Sequence, residues 1–205
     1  MKIDARKIGL ACGGFLFAIG TIWVHYEVKA ILEPAAALGS GSLRSAGTLE
    51  IGEPMPDFSS VGLDGNLVSL SEFQGDEVVV IDFWATWCKP CIKGMPDLQN
   101  IHKELGDEGV KVLAVNVGER VDKVQDFMER EDYSFRVVMD PDKEIKDLYG
   151  VGGIPQLIVV DKSGRPRHIE IGYPMSQSQA DLRKQRLRKL LRELLNEPSP
   201  NSTNA

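Results

Sequence analysis

Residues 77–84 (EVVVIDFW) constrain the chain more than any other stretch. They are β-branched or aromatic and almost continuously apolar, which is how a strand buried on both faces of a sheet reads; a strand with one wet face alternates instead. Such a strand needs a layer above it and a layer below it. Val110–Val117 (VKVLAVNV) and Gln156–Val160 (QLIVV) repeat the pattern, and Lys89–Leu105 and Val121–Glu131 carry helical spacing between them. Buried strands alternating with helices imply βαβ units and a parallel sheet with right-handed crossovers. Residues 135–139 add a short strand and 142–149 a short helix stopped by Gly150. Residues 167–171 fold back on Gln156–Val160 through the turn Asp161-Lys162-Ser163-Gly164, which makes that end of the sheet antiparallel. The expected fold class is α/β, a central mixed sheet flanked by helices. In the last helix, about 178–196, Leu187, Leu190, Leu191, Leu194 and Leu195 form one stripe, with Arg183, Lys184, Arg186, Arg188, Lys189 and Arg192 as its solvated remainder.

The ends differ from this middle. Lys2, Arg6 and Lys7 precede an uncharged run over 8–24, followed by His25, Tyr26 and Glu27. Seventeen residues is the short end of a membrane-spanning helix, so a cleaved signal peptide is the rival reading. The only small-residue cleavage pattern, Ala35-Ala36-Ala37, lies far from the apolar run, and Trp23 and Tyr26 suit an interfacial belt, which favours an uncleaved signal anchor over 1–32. The basic flank orients the N-terminus to the cytoplasm and the remainder to the extracytoplasmic or periplasmic side of the cytoplasmic membrane. Residues 33–50 are small and polar and read as a flexible linker. A domain over 51–197 follows, and 198–205 read as a polar tail. A net charge of -6 with no basic stripe excludes nucleic acid as an expected partner.

Three cysteines cannot build a disulfide framework, and Cys12 falls in the apolar run. Cys88-Lys89-Pro90-Cys91 directly follows the buried strand and opens a helix. There the unpaired N–H groups and the dipole lower a thiol's pKa, so Cys88 reads as a nucleophile. Cys91, one turn further in, is placed to attack the Cys88 sulfur of a mixed disulfide and release the partner. Pro90 suits the first turn, where a missing N–H costs little, and Lys89 puts a cation near the thiolate. A zinc site lacks a second ligand pair, since His102 and His168 have no ligand spacing; no metal or other cofactor is expected. A cuprous-ion chaperone using the same thiols is a binding-class alternative, again without a third ligand.

The segment from Phe83 to Cys91 (FWATWCKPC) resembles the active-site signature of the thioredoxin superfamily. With the N-terminal run, the chain is similar to membrane-tethered TlpA/ResA-type thiol-disulfide oxidoreductases carrying a redoxin, AhpC/TSA-like domain. Residues 51–58 and 63–70 resemble that family's N-terminal β-hairpin, and Gly152-Gly153-Ile154-Pro155 its cis-proline loop. The resemblance implies that Pro155 lies against the cysteines and that the Ile154 backbone pairs with a substrate strand. Trp87, Lys89 and Pro90 complete the implied binding surface. It also implies that Asp82, six residues before Cys88, is a buried acid serving Cys91. Inside an apolar strand its carboxylate is desolvated and its pKa raised toward neutrality, as a general base requires. Gly94 departs from the pattern, where many such proteins carry glutamate. The implied activity is reduction of disulfides in secreted proteins such as apocytochrome c, with a membrane thiol-electron transporter as donor. A peroxiredoxin-like peroxidase is the enzymatic alternative, but its signature needs proline at 81 and threonine at 85, where this chain has Ile81 and Ala85.

Overall fold

The computed structural model describes residues 49–200. The expected anchor over 1–32, the linker as far as residue 48 and the tail from 201 lie outside the described residues. Among the described residues no helix is long and apolar enough to cross a membrane.

In chain order the elements are β1 (Ser59–Val61), β2 (Leu67–Ser69), a 3-10 turn (Leu70–Phe73), β3 (Val78–Trp84), α1 (Lys89–Leu105), β4 (Val110–Val117), α2 (Val121–Glu131), β5 (Arg136–Asp140), α3 (Glu144–Leu148), β6 (Gln156–Val160), β7 (Pro166–Ile171) and α4 (Gln177–Leu195). Five strands form one sheet in the order β5-β4-β3-β6-β7. All seven residues of β3 are buried at its centre. Each Val, Ile or Phe so buried contributes about 1.5–3 kcal/mol by leaving water. Strand alternation divides them between two layers. Val78, Val80 and Trp84 pack with residues of α1, α2 and α4, whereas Val79, Ile81 and Phe83 pack with the N-terminal hairpin, the 3-10 turn and α3. Asp82 therefore belongs to the face covered by α1 and α4.

β3, β4 and β5 are parallel, as the βαβ pattern predicts. β6, however, runs antiparallel to β3, where the repeated buried-strand pattern suggests another parallel neighbour. The reach of α3 explains this. A parallel return has to carry the chain back along the length of a five-residue strand, roughly 16 Å, usually on a helix, and the five-residue α3 rises only about 7.5 Å. The chain leaving β5 thus stays at the end of the sheet where β3 meets the cysteines, and β6 starts there, with Gln156 opposite Phe83.

β1 and β2 pair antiparallel, with Ser60 opposite Val68. The strands fall at 59–61 and 67–69, so 51–58 contribute no strand to the hairpin. That segment is tied to the β6–β7 turn instead: Gly52 N–H donates to Pro166 O at 2.8 Å and Met55 N–H to Gly164 O at 3.0 Å. Beyond α4, Arg167 makes a two-pronged ion pair with Glu197 at 2.7 and 2.9 Å, and Ser199 Oγ donates to Asp76 Oδ1 at 3.0 Å. The start of the expected tail at 198–200 is therefore bonded to the domain.

Candidate active site

Cys88 is the N-cap of α1 and Pro90 lies in its first turn. β3 delivers the chain to this point through Ala85, Thr86 and Trp87, so the end of the central strand fixes where the helix begins. Cys88 and Cys91 are joined by a disulfide, their Cα atoms 5.2 Å apart, and Cys91 N–H donates to Cys88 Sγ at 3.3 Å. The N-terminal N–H groups of a helix favour negative charge, so the cap position stabilises a Cys88 thiolate once the bond is reduced. In the oxidised form both cysteines are buried, at 4% and 2% exposure, so a contrast between an exposed first and a shielded second thiol is not what distinguishes them. Lys89 and Pro90 are exposed beside them, and Trp87 is 65% exposed, an unusual setting for so large an apolar side chain.

The peptide bond between Ile154 and Pro155 is cis. Pro155 lines the same small cavity as Cys91 and Asp82, which unites the three sequence segments read as one site. Ile154 lies outside the ladder, whose last pair joins Phe83 and Gln156. Gly172 N–H donates to Pro155 O at 2.8 Å, bracing the loop from β7.

Asp82 is 5% exposed, and burial pushes its carboxyl up to about 7; the charge of Arg183 opposes that rise and the charge of Glu170 adds to it. Arg183 comes from α4, and its side chain is only 9% exposed, which corrects the reading of it as a solvated helix residue. Its Nε lies 3.0 Å from both Glu170 carboxylate oxygens. Its guanidinium stacks over the Tyr173 ring at 5.0 Å. Tyr173 O–H donates to Asp97 Oδ2 at 2.9 Å, and Lys184 Nζ pairs with Asp97 Oδ1 at 3.1 Å. Gly94 lies under this ring: a Cβ there would come within 2.9 Å of Tyr173 Cδ2.

A further buried acid beside the cysteine turn was not legible. Glu119, beyond β4, accepts from Thr86 N–H at 2.6 Å, Thr86 Oγ1 at 2.7 Å and Asn116 Nδ2 at 2.9 Å, and pairs with Lys123 at 2.6 Å. Burial alone would raise its carboxyl; Lys123, Asn116 and Thr86 outweigh that and hold it below its usual range. It thereby clamps the turn that carries Trp87 and Cys88. The one sequence signal was an acid two residues after a buried strand, which is common at strand ends. Glu119→Ala is expected to strand two donors of Thr86 and one of Asn116, lowering stability by about 2–4 kcal/mol. Urea unfolding checks this: the midpoint should fall at unchanged slope, and an unmoved midpoint would refute the clamp.

A dithiol at the start of α1, beside a cis-proline loop and over a buried acid, on a mixed sheet flanked by helices, defines a thioredoxin-like thiol-disulfide oxidoreductase. The AhpC/TSA family model matches residues 51–169, and the chain belongs to that family. It is 37% identical over 122 residues to the thiol-disulfide oxidoreductase ResA of Geobacillus thermodenitrificans (strain NG80-2), covering 60% of this chain and 70% of that one. The ResA of Bacillus subtilis (strain 168) is 35% identical over 114 residues, 56% of this chain and 63% of that one. Among solved structures, a putative thiol:disulfide interchange protein DsbE from Chlorobium tepidum superposes with a TM-score of 0.65 at 30% identity, covering 73% of this chain and 100% of that chain. A secreted thiol-disulfide isomerase from Corynebacterium glutamicum does so with a TM-score of 0.60 at 28% identity, over 70% and 86%.

Proposed function

We propose that the protein is a disulfide reductase held on the outer side of the cytoplasmic membrane, acting on cysteine pairs of secreted proteins such as apocytochrome c. The observation that carries this reading is the Cys88–Cys91 pair at the start of α1, with cis Ile154–Pro155 beside it and the Asp82 carboxyl beneath. An extended substrate pairs with the backbone at Ile154, which lies outside the β3–β6 ladder, and rests on Trp87, Lys89, Pro90 and Pro155, which brings its disulfide to Cys88. The Cys88 thiolate attacks one substrate sulfur; the substrate S–S bond breaks, and the other substrate sulfur leaves as a thiolate that takes up a proton. Asp82 accepts the Cys91 proton, and the Cys91 thiolate attacks Cys88 Sγ. The second substrate thiol departs, and the enzyme keeps the disulfide. Two electrons have passed to the substrate, and a dithiol of a membrane electron transporter restores them by the reverse exchange.

The run over 8–24 with its basic flank supports the location. Two measurements on the full chain test the reading. A disulfide-closed peptide carrying a haem-attachment cysteine pair should be reduced by the reduced enzyme at least about a hundredfold faster than by equal free dithiol, as an activated thiolate requires. A rate no better than free dithiol would sink the reductase. After carbonate washing the protein should stay with membranes, its domain open to protease only from the outer side. Recovery of a soluble species beginning near residue 38 would replace the anchor by a cleaved signal.

A further inference from the structure

The cavity that Cys91 shares with Asp82 is also lined by Gly94, Pro155, Tyr173 and Arg183. Among the described residues that line it, Arg183 is the one cation, and it arrives from α4, some ninety residues beyond the cysteines. Its Nε is committed to Glu170, but Nη1 is buried without a hydrogen bond, its ion pair to Asp97 Oδ2 standing at 3.6 Å. Side chains around it fix its place: Glu170 on β7, Asp97 on α1, and the Tyr173 ring, which occupies the space a side chain at Gly94 would need.

We propose that Arg183 is a positioning residue for the resolving step: caged by Glu170, Asp97 and Tyr173, its guanidinium supplies the buried positive charge that faces the Asp82–Cys91 cavity and holds Asp82 ready as an ionised base. This rests on the reading of Asp82 as the base for Cys91. The other groups around Asp82 do not supply that charge. Glu170 on β7 and Asp97 on α1 are anionic, and Lys184 on α4 is spent on Asp97. Tyr173 is bonded to Asp97, and the strand neighbours Ala114 and Leu157 carry no charge. Burial opposes ionisation of Asp82, Arg183 favours it, and Glu170 acts with burial. The balance between a cation on the last helix and an anion on the edge strand thus sets the pH at which the base becomes available.

The test follows the Asp82 carboxyl by carbon NMR in the reduced full chain, together with decay of the mixed disulfide across pH. Arg183→Met should move the Asp82 midpoint up by about one pH unit, and Arg183→Lys should restore most of it. Resolution in Arg183→Met should slow about three- to tenfold at pH 6.5 and converge on wild type as the pH rises past the variant's Asp82 midpoint, where both carboxyls are ionised. Glu170→Gln removes the opposing charge and should move the midpoint down, which gives a second reading if Arg183→Met fails to fold. An unmoved midpoint in a folded Arg183→Met protein, or in Glu170→Gln, overturns the proposal. An Asp82→Asn protein that resolves with the wild-type pH profile overturns the reading beneath it instead, and the NMR midpoints tell the two failures apart.

Discussion

Replacing Cys91 with alanine is expected to turn the enzyme into a trap: a disulfide substrate should accumulate as a covalent adduct on Cys88, visible on a non-reducing gel and absent after dithiol treatment. Replacing Cys88 should give no adduct and lower turnover by at least about a thousandfold, because the activated nucleophile is gone rather than weakened. Burial does not assign these roles, since both sulfurs are nearly inaccessible in the oxidised form. Position does. Cys88 occupies the cap of α1, where the helix end stabilises a thiolate, whereas Cys91 lies a turn inside, next to Asp82 and Pro155. An adduct held by Cys91 in the Cys88 variant would reverse the order of attack.

The parts of this site that a reader of the sequence can see are those set by local pattern. The seven buried residues of β3 announce a central strand by their unbroken apolar run, and a cysteine pair immediately after it falls at a helix start by the same logic. Asp82 shows itself as a charge where none is affordable without a reason. Arg183 stayed hidden because it sits in a helix rich in Arg and Lys, whose bland reading is a wet face. The signal was nonetheless there: Ala180, Arg183, Leu187, Leu191 and Leu194 follow at spacings of three or four, so Arg183 continues the stripe whose other members are buried. Tyr173 and Glu119 had no such signal, since their roles depend on loops meeting α1 and the Thr86 turn across 76 and 33 residues of chain. The orientation of β6 was hidden for a related reason. Apolar runs mark burial on both faces but not direction, and direction came from the reach of α3.

The Asp82→Asn protein should be slower in resolving mixed disulfides and, in the same alkaline range, more stable. Cys91 must lose its proton before it attacks, and a carboxylate is a base only when ionised. With the carboxyl held at about 7, the wild-type rate should rise through that pH, then rise again at higher pH as the thiol ionises by itself. Asparagine removes the first rise. The deficit should therefore be greatest just above pH 7, about ten- to a hundredfold, and should shrink on either side. Stability moves the other way. The folded carboxyl is raised above its unfolded value near 4, so between those limits the native state holds a proton that the unfolded chain has released, and stability is lost as pH rises from about 4 through 7. By pH 8 the accumulated cost reaches about 4 kcal/mol at most, and the asparagine variant should recover much of it while matching wild type near pH 4. A base for the resolving step held at this cost in stability ties the two effects together: slower resolution and a higher unfolding midpoint at pH 8 are expected in the same variant. Stopped-flow decay of the adduct and urea unfolding at pH 4 and pH 8 decide it; superimposable rate profiles would leave Asp82 as a partner of the Arg183 network alone.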